Sequence, residues 1–309
     1  MFDRIAITAL AAISLGAASP PPEHGGWIDN TPETLAALAK SCKGKDGWAD
    51  PAPPSHIYGN TWYVGTCGIT VLLVNTKAGN ILIDGGVPEA APLVAASLAK
   101  AGFSMRDVRW IVHSHEHFDH VGDFAELKRM SGAKLAALAP AAAVLRSGKP
   151  DPADPQYGSL ITKPMAPVTV DRVLRSGDTI SLGGTLLTAR ATLVHSPGST
   201  SWTWQSCEFR VCRTMTYADS SSTISADGYR VTDHPKRIAA VRRGLEVMSA
   251  LPCGILMTPH PPASSMFERM ATGQLFDPQA CGAYAKSAAA RFADRLATET
   301  GTAAPKPVQ

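Results

Sequence analysis

The densest set of chemically useful side chains lies at positions 113–120, which hold four histidines and two acids. Imidazole nitrogens and carboxylate oxygens are ligands that Zn²⁺ accepts in proteins. Side chains two apart in an extended segment point the same way, so His115 and His117 can bind one ion. Asp119 and His120 follow beyond a turn and can bind a second. A histidine-rich polar loop without a ligand is the alternative, but clustered acid and imidazole spacing favours a metal site.

The helical zinc-protease motif is a second way to arrange such residues. It places two histidines four apart on a helix, with a glutamate directly after the first. Glu116 does follow His115, but Asp119 stands where the second histidine is required. The preceding segment, Val108 to Val112, has the pattern of a strand rather than a helix. The sequence therefore predicts a strand that delivers a metal-binding loop.

Two isolated histidines follow predicted strands and are candidates to complete the metal coordination. His195 precedes a Pro-Gly-Ser-Thr segment, and His260 lies between Pro259 and Pro261. An isolated histidine in such a loop is more often a hydrogen-bonded structural residue. Because the 113–120 run leaves each ion short of ligands, we interpret both as candidate ligands.

Strand-like and helical patterns alternate along the chain, which is typical of an α/β protein. In the first half, predicted strands cover 61–64, 69–75, 81–84, 108–112 and 134–139, and predicted helices cover 88–100, 122–130 and 140–146. Between Gly148 and Pro167, five prolines predict an irregular loop that could lie over a site. In the second half, predicted strands cover 179–182, 186–193, 201–205, 209–218 and 254–258, and predicted helices cover 235–249 and 280–297. The repeated order predicts two sheets with helices outside and ligand-bearing loops at one edge.

Length and composition indicate an exported protein with a single large domain. The chain has 309 residues and a net charge of +3, and no linker divides its interior. Residues 1–18 combine Arg4, an apolar run and small residues, which predicts a secretory signal peptide too short to span a bilayer. A buried N-terminal helix is the alternative, but Pro20 would end it at once. We predict a signal at 1–18, one domain at 19–300 and a flexible tail at 301–309. No run of like charge marks a nucleic-acid surface.

The cysteines support the same compartment. An even number of cysteines in an exported chain fits disulfides in an oxidising space, whereas buried free thiols are the alternative. No C-x-x-C pair supports a cysteine zinc site. Proximity in sequence suggests three pairs: Cys42 with Cys67, Cys207 with Cys212, and Cys253 with Cys281.

The spacing His115-x-His117-x-Asp119-His120, followed by His195 and then His260, resembles the metallo-β-lactamase superfamily. The segments at 197–204, 217–220 and 258–261 are similar to the third subclass of the true (class B) metallo-β-lactamases. The resemblance covers nearly the whole predicted mature chain. It implies an αββα sandwich of two mixed β-sheets flanked by helices.

The resemblance also implies two Zn²⁺ ions per chain and a role for each ligand. His115, His117 and His195 would hold the first zinc, and Asp119, His120 and His260 the second. A zinc-bound hydroxide would attack the β-lactam carbonyl, with Asp119 as the catalytic residue that orients it. Ser220 and Ser222 would contact the substrate carboxylate, because hydroxyls can donate to an anion. Gln156 in the irregular loop would also face the substrate.

These implications predict a monomeric periplasmic hydrolase of penicillins, cephalosporins and carbapenems that confers antibiotic resistance. Another hydrolase of the superfamily, acting on a thiolester or a lactone, is the main alternative; export and the Ser220 and Ser222 pair count against it. A non-catalytic zinc protein is a third reading, but it needs only a closed four-ligand site. We expect His113 to be a hydrogen-bonded core residue, although its side chain points the same way as that of His115 in an extended segment and could instead support the metal ligands. Asp219 either bridges two metals, as in thiolester-cleaving relatives, or supports the site indirectly.

Overall fold

The structure is a computed structural model that describes residues 32–302. The predicted signal peptide and positions 303–309 of the predicted tail lie outside these residues. The helices are α1 (Pro32–Ser41), α2 (Ala91–Lys100), α3 (Phe118–Val121), α4 (Phe124–Ser131), α5 (Ala139–Ser147), α6 (Tyr157–Leu160), α7 (Pro235–Ser249), α8 (Met266–Ala271) and α9 (Ala280–Thr300). The strands are β1 (Ser55–Tyr58), β2 (Thr61–Tyr63), β3 (Leu72–Thr76), β4 (Gly79–Ile83), β5 (Val108–Val112), β6 (Lys134–Leu138), β7 (Arg172–Leu174), β8 (Thr179–Leu182), β9 (Thr185–Ala191), β10 (Thr200–Glu208), β11 (Val211–Tyr217) and β12 (Ile255–Met257).

The first sheet contains β1 to β7 in sequence order. Neighbours from β1 to β4 are antiparallel, whereas those from β4 to β7 are parallel and connected through helices. Ile81 and Ile83 of β4 pack between the two sheets, and Leu82 packs against the helices on the other face. All three are buried because a sheet covered on both faces needs apolar side chains in both directions.

The second sheet has the order β12-β11-β10-β9-β8. β12 is parallel to β11, and the other neighbours are antiparallel. Helices α7 and α9 cover its outer face. In α9, Cys281, Ala285, Ala288 and Phe292 are buried at the three- and four-residue spacing that gives a helix one apolar face.

Within residues 32–302, three apolar clusters correspond to the three interfaces between layers. One lies between the sheets and includes Trp202, Trp204 and Tyr217. The second lies under the helices of the first sheet, and the third lies under α7 and α9. The order helix, sheet, sheet, helix confirms the αββα sandwich predicted for this chain.

Several element boundaries differ from the predicted ones. The strand predicted from Phe209 begins at Val211, because Glu208 pairs with Val211 and leaves Phe209 and Arg210 as a two-residue hairpin turn. Phe209 there has a φ of 51°. The helix predicted from Pro88 begins at Ala91. No sequence pattern predicted six of the observed elements, namely α1, α3, α6, α8, β1 and β7. Five of these six have six residues or fewer, which is too short to show a clear period.

The disulfides join the pairs that proximity in sequence suggests. Cys42 and Cys67 are 25 residues apart, Cys207 and Cys212 are 5 apart, and Cys253 and Cys281 are 28 apart. The middle pair closes the tip of the β10–β11 hairpin. Among residues 32–302, no helix is both long and apolar enough to cross a membrane.

Candidate metal centre

The candidate site residues lie where strands of both sheets end. Because parallel strands end at the same edge, Asp84 after β4 lies close to the 113–120 run after β5. In the second sheet, Asp219 after β11 and His260 after β12 share an edge for the same reason. His195 lies in the loop from β9 to β10. The sandwich therefore brings residues distant in sequence to one edge.

The first cluster consists of His115, His117 and His195, all of them buried. One nitrogen from each ring lies within 4.8 Å of the others. The ring centroids are 4.5 Å apart for His115 and His195, 4.7 Å for His115 and His117, and 4.9 Å for His117 and His195. Three nitrogen donors therefore converge on one point.

Each ring of the first cluster has a hydrogen-bond partner from a different segment. His115 Nδ1 is 2.8 Å from Asp219 Oδ1. His117 Nε2 is 2.8 Å from Asp154 Oδ2. His195 Nδ1 donates to the Ser222 carbonyl at 2.8 Å. A bond at one ring nitrogen fixes the tautomer and leaves the other nitrogen as a donor for a metal.

The remaining nitrogen of His115 shows that the cluster fits a metal ion. His115 Nε2 is buried and has no hydrogen-bond partner in the structure. A buried polar atom without a partner is rare, because its desolvation is not offset. A metal ion held by the three convergent imidazoles would satisfy it.

The second cluster consists of Asp119, His120 and His260. Asp119 Oδ2 is 3.2 Å from His120 Nε2 and 3.4 Å from His260 Nε2, and the two histidine nitrogens are 3.3 Å apart. A ring nitrogen of His115 also lies within 4.8 Å of a carboxylate oxygen of Asp119 and a ring nitrogen of His120, so His115 is adjacent to both clusters. The chain brings together all six residues predicted to bind metal.

Asp84, which is not among the predicted site residues, holds His120 of the second cluster in place. Its carboxylate accepts hydrogen bonds from His120 Nδ1 at 3.1 Å, Ser114 Oγ at 2.7 Å and Tyr217 OH at 2.7 Å. Asp84 has a φ of 62°, a strained conformation that costs on the order of 1–3 kcal/mol in a residue other than glycine. An acid placed directly between a buried strand and Gly85 was the available signal.

Residues 64–209 match the metallo-beta-lactamase superfamily. The chain is 55% identical to MIM-1 from Novosphingobium pentaromativorans, covering 87% of this chain and all of that one, with a TM-score of 0.84. The chain belongs to the metallo-β-lactamase superfamily. It is also 46% identical to the metallo-β-lactamase MIM-2, over 86% of this chain and 98% of that one, with a TM-score of 0.81.

A third metallo-β-lactamase places the chain in a subclass. MEM-A1, a subclass B3 enzyme from a soil metagenome library, is 39% identical over 82% of this chain and 99% of its own, with a TM-score of 0.79. The predicted third subclass is thereby confirmed. A hydroxyacylglutathione hydrolase of Rhodopseudomonas palustris (strain BisB18) is 34% identical over 113 residues, 37% of this chain. The match spans about a third (32%) of the length of that curated relative.

The histidines of this metallo-β-lactamase superfamily member differ in their electrostatics, and a carboxylate beside the ring raises the pKa of His117 and His120. Burial lowers the pKa of His195 to about 3, and burial with the neighbouring histidines lowers the pKa of His115 well below its usual value. Both rings are therefore neutral and able to bind a metal. Burial alone would lower the pKa of His120, but the carboxylates of Asp119 and Asp84 raise it to about 10. Burial alone would raise the pKa of Asp119, but His120 holds it well below its usual range, so this carboxylate is ionised.

The predicted substrate-contacting residues lie beside the first cluster. Gln156 Nε2 is 3.3 Å from His195 Nε2, so the irregular loop does lie against the site. Ser222 is half-buried and contacts His195 through its carbonyl. Ser220 is buried in the segment after β11. Asp154 in the same loop was missed, because nothing in the sequence distinguishes it from Asp151.

The structure answers the two questions left open by the sequence. His113 is fully buried as expected, but neither ring nitrogen has a hydrogen-bond partner, so the expected hydrogen bond is wrong. Burial lowers its pKa to about 4, which keeps the ring neutral. The Asp219 carboxylate lies 2.8 Å from His115 Nδ1, and the backbone N–H of Asp219 donates a hydrogen bond to Ser201 Oγ at 2.9 Å. Its carboxylate therefore supports a ring of the first cluster.

Proposed function

We propose that the protein is a zinc-dependent β-lactamase that opens the lactam ring of penicillins, cephalosporins and carbapenems. The observation that carries this proposal is the pair of adjacent clusters that meet at His115. A closed structural zinc site needs four protein ligands around one ion. Two sets of three leave positions open for water and substrate, as a catalytic centre requires.

The proposed ligand sets are those of the two clusters. His115, His117 and His195 would hold one zinc ion, and Asp119, His120 and His260 a second. The orphan nitrogen of His115 and the convergence of the ring nitrogens support the first set. The short contacts among Asp119, His120 and His260 support the second. We therefore expect two Zn²⁺ ions per chain.

The residues around the ions would orient the attacking water and the metal-binding imidazoles. When bound, a zinc pair supplies Lewis-acid polarisation of a carbonyl and makes a water acidic near neutral pH. Asp119 is ionised and can accept a hydrogen bond from the attacking water, which fixes its orientation beside the substrate. Asp219 and Asp154 would hold His115 and His117 in the required tautomer, and the Ser222 carbonyl would do the same for His195.

Substrate binding would use the face next to His195. Ser220 and Ser222 are proposed to donate hydrogen bonds to the carboxylate that accompanies the lactam, and Gln156 to contact the substrate from the loop. Ser222 and Gln156 both contact His195, which supports this placement. The chemistry of these donors fits an anionic small molecule.

Cleavage of a thiolester is the second candidate function, and the hydroxyacylglutathione hydrolase relative favours it. That likeness covers 37% of the chain, whereas the β-lactamase relatives match over more than four fifths of it. Asp219 contacts His115 through a hydrogen bond, which supports an orienting role for it rather than a metal-bridging one. The lactamase is therefore the better-supported function.

We also propose that the enzyme acts as a monomer in the periplasm, where it would confer resistance to carbapenems among other β-lactams. Residues 1–18 would serve as its signal peptide and 19–300 as a single domain. The three disulfides support this location because they persist in oxidising compartments.

The first test is hydrolysis of a penicillin, a cephalosporin, a carbapenem and a thiolester by purified protein, with and without chelator. We expect lactam hydrolysis that disappears on chelation and returns with Zn²⁺, together with two zinc ions per active chain. Full activity in metal-free protein would contradict the metal mechanism. Thiolester cleavage without lactam cleavage would establish the second candidate.

A double variant tests substrate recognition. Ser220→Ala with Ser222→Ala removes two donors to a charged group, so we expect kcat/KM for lactams to fall roughly ten- to a hundredfold with unchanged metal content. Ser221→Ala is the matched control, because the Ser221 hydroxyl accepts a hydrogen bond from Arg291 instead. An equal loss on lactam and thiolester would remove the two serines from carboxylate recognition.

A further inference from the structure

A cavity of about 540 Å³ opens beside the metal centre without including any residue of the two clusters. Its walls come from four separate segments of the chain, which contribute Trp48, Glu89, Phe118 and Lys163. This volume is within the range of sites that bind small organic ligands. The cavity is large enough for one aromatic side chain of a substrate.

Two aromatic rings place this cavity next to the second cluster. Phe118 lies between His117 and Asp119 in the chain, so its ring is attached to the metal-binding run itself. Trp48 packs edge-on against Phe118 at 5.6 Å between ring centroids and lies 6.2 Å from the His260 ring. A group that leaves the metal centre past His260 therefore meets Trp48 and Phe118.

The cavity also carries a positive charge that is free to bind an anion. The Lys163 ammonium lies 5.5 Å from the centroid of the Phe118 ring. Within residues 32–302, no carboxylate forms an ion pair with it, although Glu89 lines the same cavity. An exposed cation beside an aromatic ring suits a ligand that carries both an aromatic group and a carboxylate.

We propose that this cavity binds the acyl side chain of the β-lactam and that Lys163 selects side chains bearing a carboxylate next to an aromatic ring. The inference rests on the proposed function. In penicillins and cephalosporins the acylamino group stands on the carbon next to the scissile carbonyl. A substrate held at the metal centre therefore carries this group to a neighbouring wall. Its ring would pack on Trp48 and Phe118, and its carboxylate would pair with Lys163.

The test compares benzylpenicillin with its α-carboxy derivative, which differ by this one carboxylate. For the zinc-loaded enzyme, Lys163→Gln should lower the ratio of kcat/KM for the carboxylated to the uncarboxylated substrate by roughly two- to fivefold, the scale of an exposed ion pair. The change should lie mainly in KM. Lys163→Glu should lower the ratio further, and added salt should reduce the difference between variants. Lys149→Gln is the matched control, because Lys149 is an exposed lysine of the same loop outside the cavity.

Binding of phenylmalonate and phenylacetate to the same holoenzyme separates this inference from the proposed function. Stronger binding of phenylmalonate that is lost in Lys163→Gln, but kept in Lys149→Gln, supports the subsite even if no lactam is cleaved. Equal effects of Lys163→Gln on both members of each pair would overturn it. A preference for an α-amino side chain that disappears in Glu89→Gln would also overturn it, since the cavity would then select cations.

Discussion

The two clusters meet at His115 but are supported in different ways. In the first cluster, every histidine is buried, and each is hydrogen-bonded to a separate group from a different segment. In the second cluster, Asp84 holds His120 in the same manner. His260 is the exception, since its side chain is 32% exposed and its Nδ1 lies 3.2 Å from the Gly68 carbonyl.

This difference indicates how the protein divides rigidity between the two clusters. Carboxylates behind metal-binding histidines orient the rings before the ion arrives, which lowers the reorganisation needed for binding. The first cluster has two such carboxylates, Asp154 and Asp219, and lies away from solvent. The second is open on the side of His260. If each cluster holds an ion as proposed, we expect the ion in the first cluster to bind more tightly and the ion in the second to exchange more readily.

The largest expected effect comes from the only carboxylate in the two ligand sets. Asp119→Asn should remove the second metal, leave the first in place and lower turnover by at least about a hundredfold, the scale of a lost catalytic group. Metal analysis and lactam hydrolysis measure both effects. Asp123→Asn is the control, since Asp123 is buried outside the clusters and burial raises its pKa, so an amide resembles its neutral form. Normal turnover in Asp119→Asn would exclude Asp119 from the site.

A smaller effect should follow from weakening the support of the first cluster. Asp154→Asn removes the charged partner of His117 and should lower the affinity of the first metal by about ten- to a hundredfold. Activity should recover when Zn²⁺ is added, which a folding defect would not allow. Competition with a chromogenic chelator measures the affinity. The variant Asp151→Asn, in the same loop, should behave like the parent. If Asp154→Asn weakened only the second metal, Asp154 would support the second cluster rather than the first.

The smallest effect concerns the disulfide nearest to His260. The Cys42–Cys67 bond lies next to Gly68, whose carbonyl contacts His260. Cys42→Ser with Cys67→Ser should lower the free energy of unfolding by about 3 kcal/mol and weaken the second metal by a few-fold. The Cys207–Cys212 disulfide closes a shorter loop far from the site. Its removal in Cys207→Ser with Cys212→Ser should lower the free energy of unfolding by about 2 kcal/mol without affecting metal binding. Denaturant unfolding and metal titration distinguish these outcomes. Equal affinity for the second metal in both double variants would show that the Cys42–Cys67 disulfide does not support the metal centre.

The sequence by itself determined the features that depend on neighbours along the chain. His115, His117, Asp119 and His120 lie within six positions, so a strand end followed by a turn is enough to place them together. The disulfide partners were predictable because nearby cysteines meet most readily. The two-sheet architecture followed from the order of strand and helix periods, together with the family resemblance. Local periodicity and short loops carry this information.

Only the tertiary structure decided which groups stand behind the metal-binding histidines. His120 meets Asp84 over 36 positions, His115 meets Asp219 over 104, and His260 meets the Gly68 carbonyl over 192. Local pattern does not distinguish such partners from other polar residues, as Asp154 and Asp151 show. Their pairing arises when strands of two sheets end at a common edge and exclude water from the polar groups gathered there. Burial then requires those groups to satisfy one another, and this requirement acts through space rather than along the chain.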